Sequence, residues 1–309
     1  SWSVTGRSAF AMFGWTALPR RAGHIALVLG LVLLTCVTSS AVATNDAKVY
    51  DGKIHLGNYA YPEPVVLGPI SGTEAKAVVI LLHGLGGAAK GMESIFSAAP
   101  FKNIRWIFPV APLRNVQLNY DREEPAWYDM RTLNPQNMWN DEVGIEESSQ
   151  YIRQMVLQII REGVPANRIV LGGFSQGGAV ALTTAVHALD GIAIGGVIAL
   201  SSYLPMHQQY VDGTRKVSSV ARNVPFFLAH GDADPVLDIS MGRATQQALW
   251  QMGMQHVEFH ALPGLGHTRN MEEAEMVKEF IGRSLISVVP PLLEDVRQQG
   301  ANPYGTVYK

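Results

Sequence analysis

Short, largely apolar runs recur along this chain, separated by longer stretches with helical spacing, and that alternation restricts the fold more than any other feature. "AVVILLH" (77–83), "IRWIFPV" (104–110), "RIVLGGF" (168–174), "GGVIALSS" (195–202), "VPFFLAHG" (224–231) and "HVEFHALP" (256–263) all have strand length. A strand that is apolar on both faces must be covered on both, which is the situation inside a parallel sheet. Between these runs, "EVGIEESSQYIRQMVLQIIREGV" places apolar residues at 145, 152, 155, 156, 159 and 160, a helical spacing. "GGAVALTTAVHAL", "MGRATQQALWQMG" and "EEAEMVKEFIGRSLI" read as further helices. The expectation is an α/β fold in one domain: an open, mostly parallel sheet with helices on both faces. In such sheets function collects at the carboxyl ends of the strands.

One strand end stands out. "VLGGFSQGGAVAL" (170–182) runs from a strand through Ser175 into a small-residue helix. A serine hydroxyl is a weak nucleophile unless a base takes its proton, and it must also stand clear of the backbone. A sharp strand-to-helix turn achieves this but crowds the residues two before and two after the serine. Gly173 and Gly177 occupy those places, so "GFSQG" reads as a nucleophile elbow. The bland alternative is a serine in a glycine-rich turn.

The base should be a histidine later in the chain. The candidates after Ser175 are His187, His207, His230, His256, His260 and His267; His187 falls within a predicted helix, His230 sits at a strand end, and His256 and His260 alternate along a strand. His267 lies in "LPGLGHTRN", a loop after the last strand, where a side chain can reach across strand tips. An acid must orient the imidazole and stabilise its charged form. "HGDADPV" offers Asp232, close to its strand and suited to capping a turn, and Asp234, further out and preferred. The order Ser175, Asp234, His267 is that of the α/β-hydrolases, and of neither chymotrypsin nor subtilisin. Two donors are then needed for the developing oxyanion. The amide of Gln176 is one, and the loop "LLHGLGG" (81–87) offers the amide of Leu85 as the other. As a phosphate cradle that loop is incomplete, with no lysine at P-loop spacing and no G-x-G-x-x-G.

The ends of the chain differ from its middle. Residues 1–43 carry no acidic residue, only Arg7, Arg20 and Arg21 among strong bases, then an apolar stretch from Ile25 to Val37 and a small-x-small Ala41-Val42-Ala43. That order describes a secretory signal peptide, with an organellar transit peptide or an uncleaved anchor as rivals. Residues 44–289 are expected to hold the catalytic domain, and 290–309 a loosely held tail. A cleaved leader would remove Cys36, the single cysteine. One cysteine permits neither an internal disulfide nor a cysteine-based zinc site. A net charge of −2 without a Lys/Arg-rich run points away from nucleic acid.

With these pieces together the chain resembles the acyl-protein thioesterase / small carboxylesterase (lysophospholipase-like) family of α/β-hydrolases, from about Ala77 to Ile286. The motifs that carry the resemblance agree in order: "LLHGLGG", "VQLNYDREEPAWYDM", "GGFSQGGAVAL", "SSYLP", "HGDADPV" and "LGH". The resemblance implies an α/β-hydrolase fold with Ser175, Asp234 and His267 as triad and Leu85 and Gln176 as backbone oxyanion donors. It also implies that Trp127 and Tyr128 help wall the acyl site. Gly87 stands where many relatives have aspartate, and Ser202 where many have glycine, which bears on specificity more than on chemistry. Family members are typically cytosolic, so a cleaved leader would put cytosolic palmitoyl-proteins out of reach.

The implied activity is hydrolysis of an ester or thioester through an acyl-enzyme, without metal or cofactor. Acylated protein, lysophospholipid and small esters are all admissible substrates, because the triad chemistry is common to them. Leu113, Leu118 and Trp127 would either cover an acyl groove or pack beneath their own loop. A non-catalytic ligand-binding module on the same fold is the rival class, free to lose a triad member that this chain keeps.

Overall fold

The computed structural model describes residues 48–50, 53–56, 59–69, 75–96, 103–134 and 138–286. The leader-like segment with Cys36 and the tail from 290 lie outside them. The chain enters through β1 (Lys48–Tyr50), β2 (Lys53–Leu56) and β3 (Tyr59–Tyr61), a small antiparallel sheet. β4 (Val65–Leu67) follows, then β5 (Ala77–Leu82), α1 (Ala89–Phe96) and β6 (Ile104–Phe108). A ribbon of β7 (Leu113–Val116) and β8 (Arg122–Pro125) precedes α2 (Glu142–Arg161). Then come β9 (Ile169–Phe174), α3 (Gln176–Thr183), β10 (Gly196–Leu200), α4 (His207–Val211), β11 (Phe226–Gly231), α5 (Ile239–Gln251), β12 (Val257–Leu262) and α6 (Met271–Ile286).

The main sheet has seven strands in the order β12-β11-β10-β9-β5-β6-β4, and only β4 runs antiparallel to its neighbour. Each of the six apolar runs is one of its strands. On β5 the period of two separates the core into two layers. Val78, Ile80 and Leu82 pack with α2, α3 and α5 on one face. Ala77, Val79 and Leu81 pack with α1 and α6 on the other. Both sets are buried, so the absence of polar alternation in the sequence has its cause here: helices cover the sheet twice. β12 pairs on one side only and is half-buried, in keeping with Glu258 and His260 interrupting its apolar residues.

α2 starts where Asp141 caps it, its Oδ1 accepting from Gly144 N at 3.0 Å. Its stripe of Ile145, Ile152, Met155, Val156 and Ile159 is buried against the sheet. At roughly 1.5–3 kcal/mol for each large apolar side chain, that face stabilises the helix far more than propensity does.

The strand order places the site. From β5 the chain moves to β6 on one side, then returns past β5 to β9 and continues the other way through β10, β11 and β12. The reversal falls between β5 and β9, where Leu82 pairs with Gly173. The loops after these two strands lie side by side at the switch point, the carboxyl edge where open α/β sheets bind their ligands. Two local features differ from the sequence reading. Residues 113–125 form an antiparallel ribbon rather than an irregular loop. The helix after the serine widens into a five-residue π-helical segment, Thr184–Ala188.

Candidate active site

Ser175 joins β9 to α3 with φ 54° and ψ −121°, a conformation that costs a non-glycine residue on the order of 1–3 kcal/mol. The surroundings impose it. Its N–H donates to Leu200 O at 2.8 Å, continuing the pairing of β9 with β10, while its own carbonyl starts α3 by accepting from Ala179 N at 3.1 Å. No room exists for side chains on either flank. A Cβ on Gly173 would stand 2.4 Å from the Gly177 carbonyl carbon, and one on Gly177 would stand 2.4 Å from His83 O.

His267 and Asp234 arrive from the loops after β12 and β11. His267 Nε2 lies 3.0 Å from Ser175 Oγ, and Nδ1 lies 2.7 Å from Asp234 Oδ2. Asp234 is fixed at its other oxygen, where Oδ1 accepts from the N–H groups of Val236 at 2.8 Å and Leu237 at 2.9 Å. The hydrogen-bond pattern defines one consistent tautomer: Nδ1–H donates to Asp234, leaving Nε2 to accept from the serine hydroxyl. Asp232, the other acid of the motif, is exposed and accepts from Gly264 N at 2.6 Å, holding the loop that carries His267. Of the other candidate histidines, His187 lies on Lys216 O at 2.7 Å and His260 near Glu258 at 3.4 Å, while His230 Nε2 stands 3.5 Å from Asp234 Oδ2.

The loop after β5 supplies the facing wall. His83 is buried there; its Nδ1–H donates to Gly84 O at 2.7 Å and its Nε2 accepts from Ala111 N at 3.1 Å. Burial pulls its pKa down, so the ring stays neutral and serves as a brace. The amides of Gly86 and Gly87 close the loop, donating to Pro125 O at 2.9 Å and Gly84 O at 3.0 Å. The amides of Leu85 and Gln176 donate to no turn or loop carbonyl among the described residues.

Gln176 has a second task that the sequence did not disclose. Its side chain is buried and grips the backbone of two successive residues: Oε1 accepts from Trp127 N at 2.8 Å and Nε2 donates to Tyr128 O at 2.7 Å. Trp127 Nε1 in turn donates to His83 O at 2.8 Å, so the indole ties the β5 loop to the elbow. Trp127 is 0% exposed and Tyr128 1%, and Tyr128 shares a hydrogen bond with the Tyr203 hydroxyl at 2.9 Å. Both thus stand behind the site, presenting no surface to solvent. Leu113 is exposed and Leu118 packs partly against the core, so with Trp127 they form no common wall.

Arg269 was also invisible as a neighbour of the site. Its guanidinium lies 4.6 Å from the centre of the Phe174 ring, which also lies 4.8 Å from the His267 ring. Its place two residues after the histidine was the only available signal. Among the described residues, no group of three His, Cys, Asp or Glu side chains is disposed to hold a metal ion.

A sheet that reverses between β5 and β9, with a strained serine at the tip of β9, is the arrangement of an α/β-hydrolase. Comparison with known proteins narrows the class. A family profile described as Phospholipase/Carboxylesterase matches residues 69–285, and the chain belongs to that family. It is 36% identical over 220 residues to acyl-protein thioesterase 1 of Neurospora crassa, covering 69% of this chain and 88% of the relative. It is 34% identical over 219 residues to the Candida albicans protein of the same name, covering 69% and 94%. Among solved structures, acyl-protein thioesterase 2 of Zea mays superposes with a TM-score of 0.65 at 28% identity, covering 73% of this chain and all (100%) of that one. SOBER1 of Arabidopsis thaliana gives 0.63 at 26% identity, covering 68% and 100%.

Proposed function

We propose that this protein is a serine hydrolase that takes the acyl group of a carboxylic ester or thioester onto Ser175 and passes it to water. Acyl-protein thioesters, palmitoyl-proteins among them, and simple carboxylic esters are the substrates this reading favours. The observation that carries it is the chain of contacts Ser175 Oγ, His267 Nε2, His267 Nδ1, Asp234 Oδ2, at 3.0 and 2.7 Å.

In the forward step His267 Nε2 accepts the hydroxyl proton as Oγ attacks the carbonyl carbon. The imidazolium so formed donates Nδ1–H to the buried Asp234 carboxylate. The tetrahedral oxyanion is held by the amides of Leu85 and Gln176, which removal experiments on such sites value at about 3–4 kcal/mol per donor. His267 then returns the proton to the leaving alcohol or thiol. Water attacks the acyl-enzyme by the reverse sequence and frees the acid. Trp127 and Tyr128 act from behind, keeping the elbow and the β5 loop in register. The names of the fungal and plant relatives support the thioester side of the proposal.

The test is turnover of p-nitrophenyl esters from acetyl to palmitoyl, beside a palmitoyl-thioester peptide and a lysophospholipid, with Ser175→Ala as control. Loss of turnover in the alanine variant supports the acyl-enzyme, and the chain-length and acceptor profile assigns the substrate class. Folded wild-type protein inert on all of these overturns the reading in favour of a ligand-binding module.

A further inference from the structure

The carbonyl of Ser175 accepts two hydrogen bonds. One comes from Ala179 N at 3.1 Å, and the other from Ser202 Oγ at 2.7 Å. That oxygen shares a planar peptide group with the N–H of Gln176. In a trans peptide the two point in opposite directions, so whatever fixes the oxygen also fixes where the amide proton points. A donor on the oxygen further draws electron density from the nitrogen, which makes its N–H the stronger donor.

Ser202 is 4% exposed and follows Ser201, a non-glycine residue at φ 43° directly after β10. Its place is defended from the other side: a Cβ on Gly178 would stand 2.7 Å from Ser202 Oγ. The hydroxyl is therefore held beside the elbow by backbone geometry on both β10 and α3.

We propose that Ser202 is a positioning residue for the oxyanion site, orienting and polarising the Ser175–Gln176 peptide so that the Gln176 amide meets the developing negative charge. This rests on the acyl-enzyme reading above, and Ser202 itself touches no reacting atom.

Ser202→Ala in the full chain tests it, because the Cβ stays and Ser175 O keeps its bond from Ala179. The expected result is a fall of about five-fold in kcat/KM for a p-nitrophenyl ester, the worth of one neutral hydrogen bond. The fall should lie in kcat, with KM unchanged. The inhibition constant of a trifluoromethyl ketone, whose serine adduct carries an oxyanion, should rise by the same factor. The acyl-enzyme carbonyl stretch should move to higher frequency. Unchanged kcat/KM and ketone affinity overturn the proposal, and so does a lowered melting temperature with ketone affinity intact, which marks a structural role. Ser202→Gly provides the same readouts if the alanine variant does not fold. With Ser175→Ala inactive, failure in the Ser202 variants removes only the positioning role; an active Ser175→Ala removes the acyl-enzyme reading and this inference together.

Discussion

His230 stands behind Asp234, its Nε2 3.5 Å from Oδ2, yet its proton goes elsewhere: Nε2 lies 2.8 Å from Leu237 O and donates there. The distance alone would score the two as an ion pair. Burial pushes the His230 pKa down, which keeps the ring neutral and argues against that pairing. The Asp234 carboxylate is left to His267.

Asp234→Asn is therefore expected to abolish turnover without unfolding the protein. The asparagine oxygen stays on the amides of Val236 and Leu237, which turns its NH2 toward His267 Nδ1. That nitrogen must then accept, the ring proton moves to Nε2, and the serine loses its base. A fall in kcat of about 10⁴ with an unchanged melting temperature is the expected result. An activity within ten-fold of wild type would show that Asp234 does not set the tautomer.

Gly173→Ala should destabilise the fold by more than about 3 kcal/mol, since the new methyl meets backbone atoms that cannot step aside. Urea denaturation followed by circular dichroism measures it. A loss under 1 kcal/mol would mean that the elbow relaxes more readily than its geometry implies.

Gln176→Glu keeps the size and the acceptor for Trp127 N but sets an oxygen against Tyr128 O in place of a donor. Two buried acceptors facing each other cost about 1–3 kcal/mol. The variant should melt several degrees lower and lose activity, although the proposed backbone donor at 176 is untouched. Normal stability would show the clamp to be dispensable.

Glu273 makes stability depend on pH. It is fully buried, neither carboxylate oxygen has a hydrogen-bond partner, and burial pushes its pKa from 4.5 up to about 7 against the lowering influence of Arg269. Below pH 4.5 the group is protonated in both folded and unfolded chains and contributes no difference. From pH 4.5 to about 7 only the unfolded chain releases the proton, so this group's effect is to lower stability as pH rises, by on the order of 3 kcal/mol in all. Glu273→Gln should accordingly be more stable than wild type at pH 8 and indistinguishable from it near pH 4.5. Melting temperatures of the two proteins across that range decide it; parallel curves would place the Glu273 titration outside the window.

Much of this was legible in the residues. The inner sheet strands β5, β6, β9, β10 and β11 were legible because a doubly covered strand lacks regular polar alternation, and "GFSQG" marked the elbow because only glycine fits two residues either side of the serine. The ribbon of β7 and β8 was not legible: "LRNV" and "REEP" are short and mostly polar, with Arg114 as one of the two buried residues of β7, and their pairing is fixed by a turn at Tyr120 and Asp121, both at positive φ. Nor could Gln176 be read as a clamp, because its partners lie |i−j| = 49 and 48 residues away and nothing local marks them. The family resemblance implies Trp127 as part of an acyl-site wall, but only the packed structure shows its 0% exposure and its bond to His83.

The distance between Ser175 and His267 along the chain is 92 residues. A ribosome therefore completes the elbow well before it has made the base, and β11 and β12 must dock in turn before Asp234 and His267 reach it. On the acyl-enzyme reading the serine is until then an ordinary alcohol, harmless to any ester around the nascent chain. Reactivity would on that reading await the loop after the last strand, and a turnover assay would report the arrival of the whole sheet.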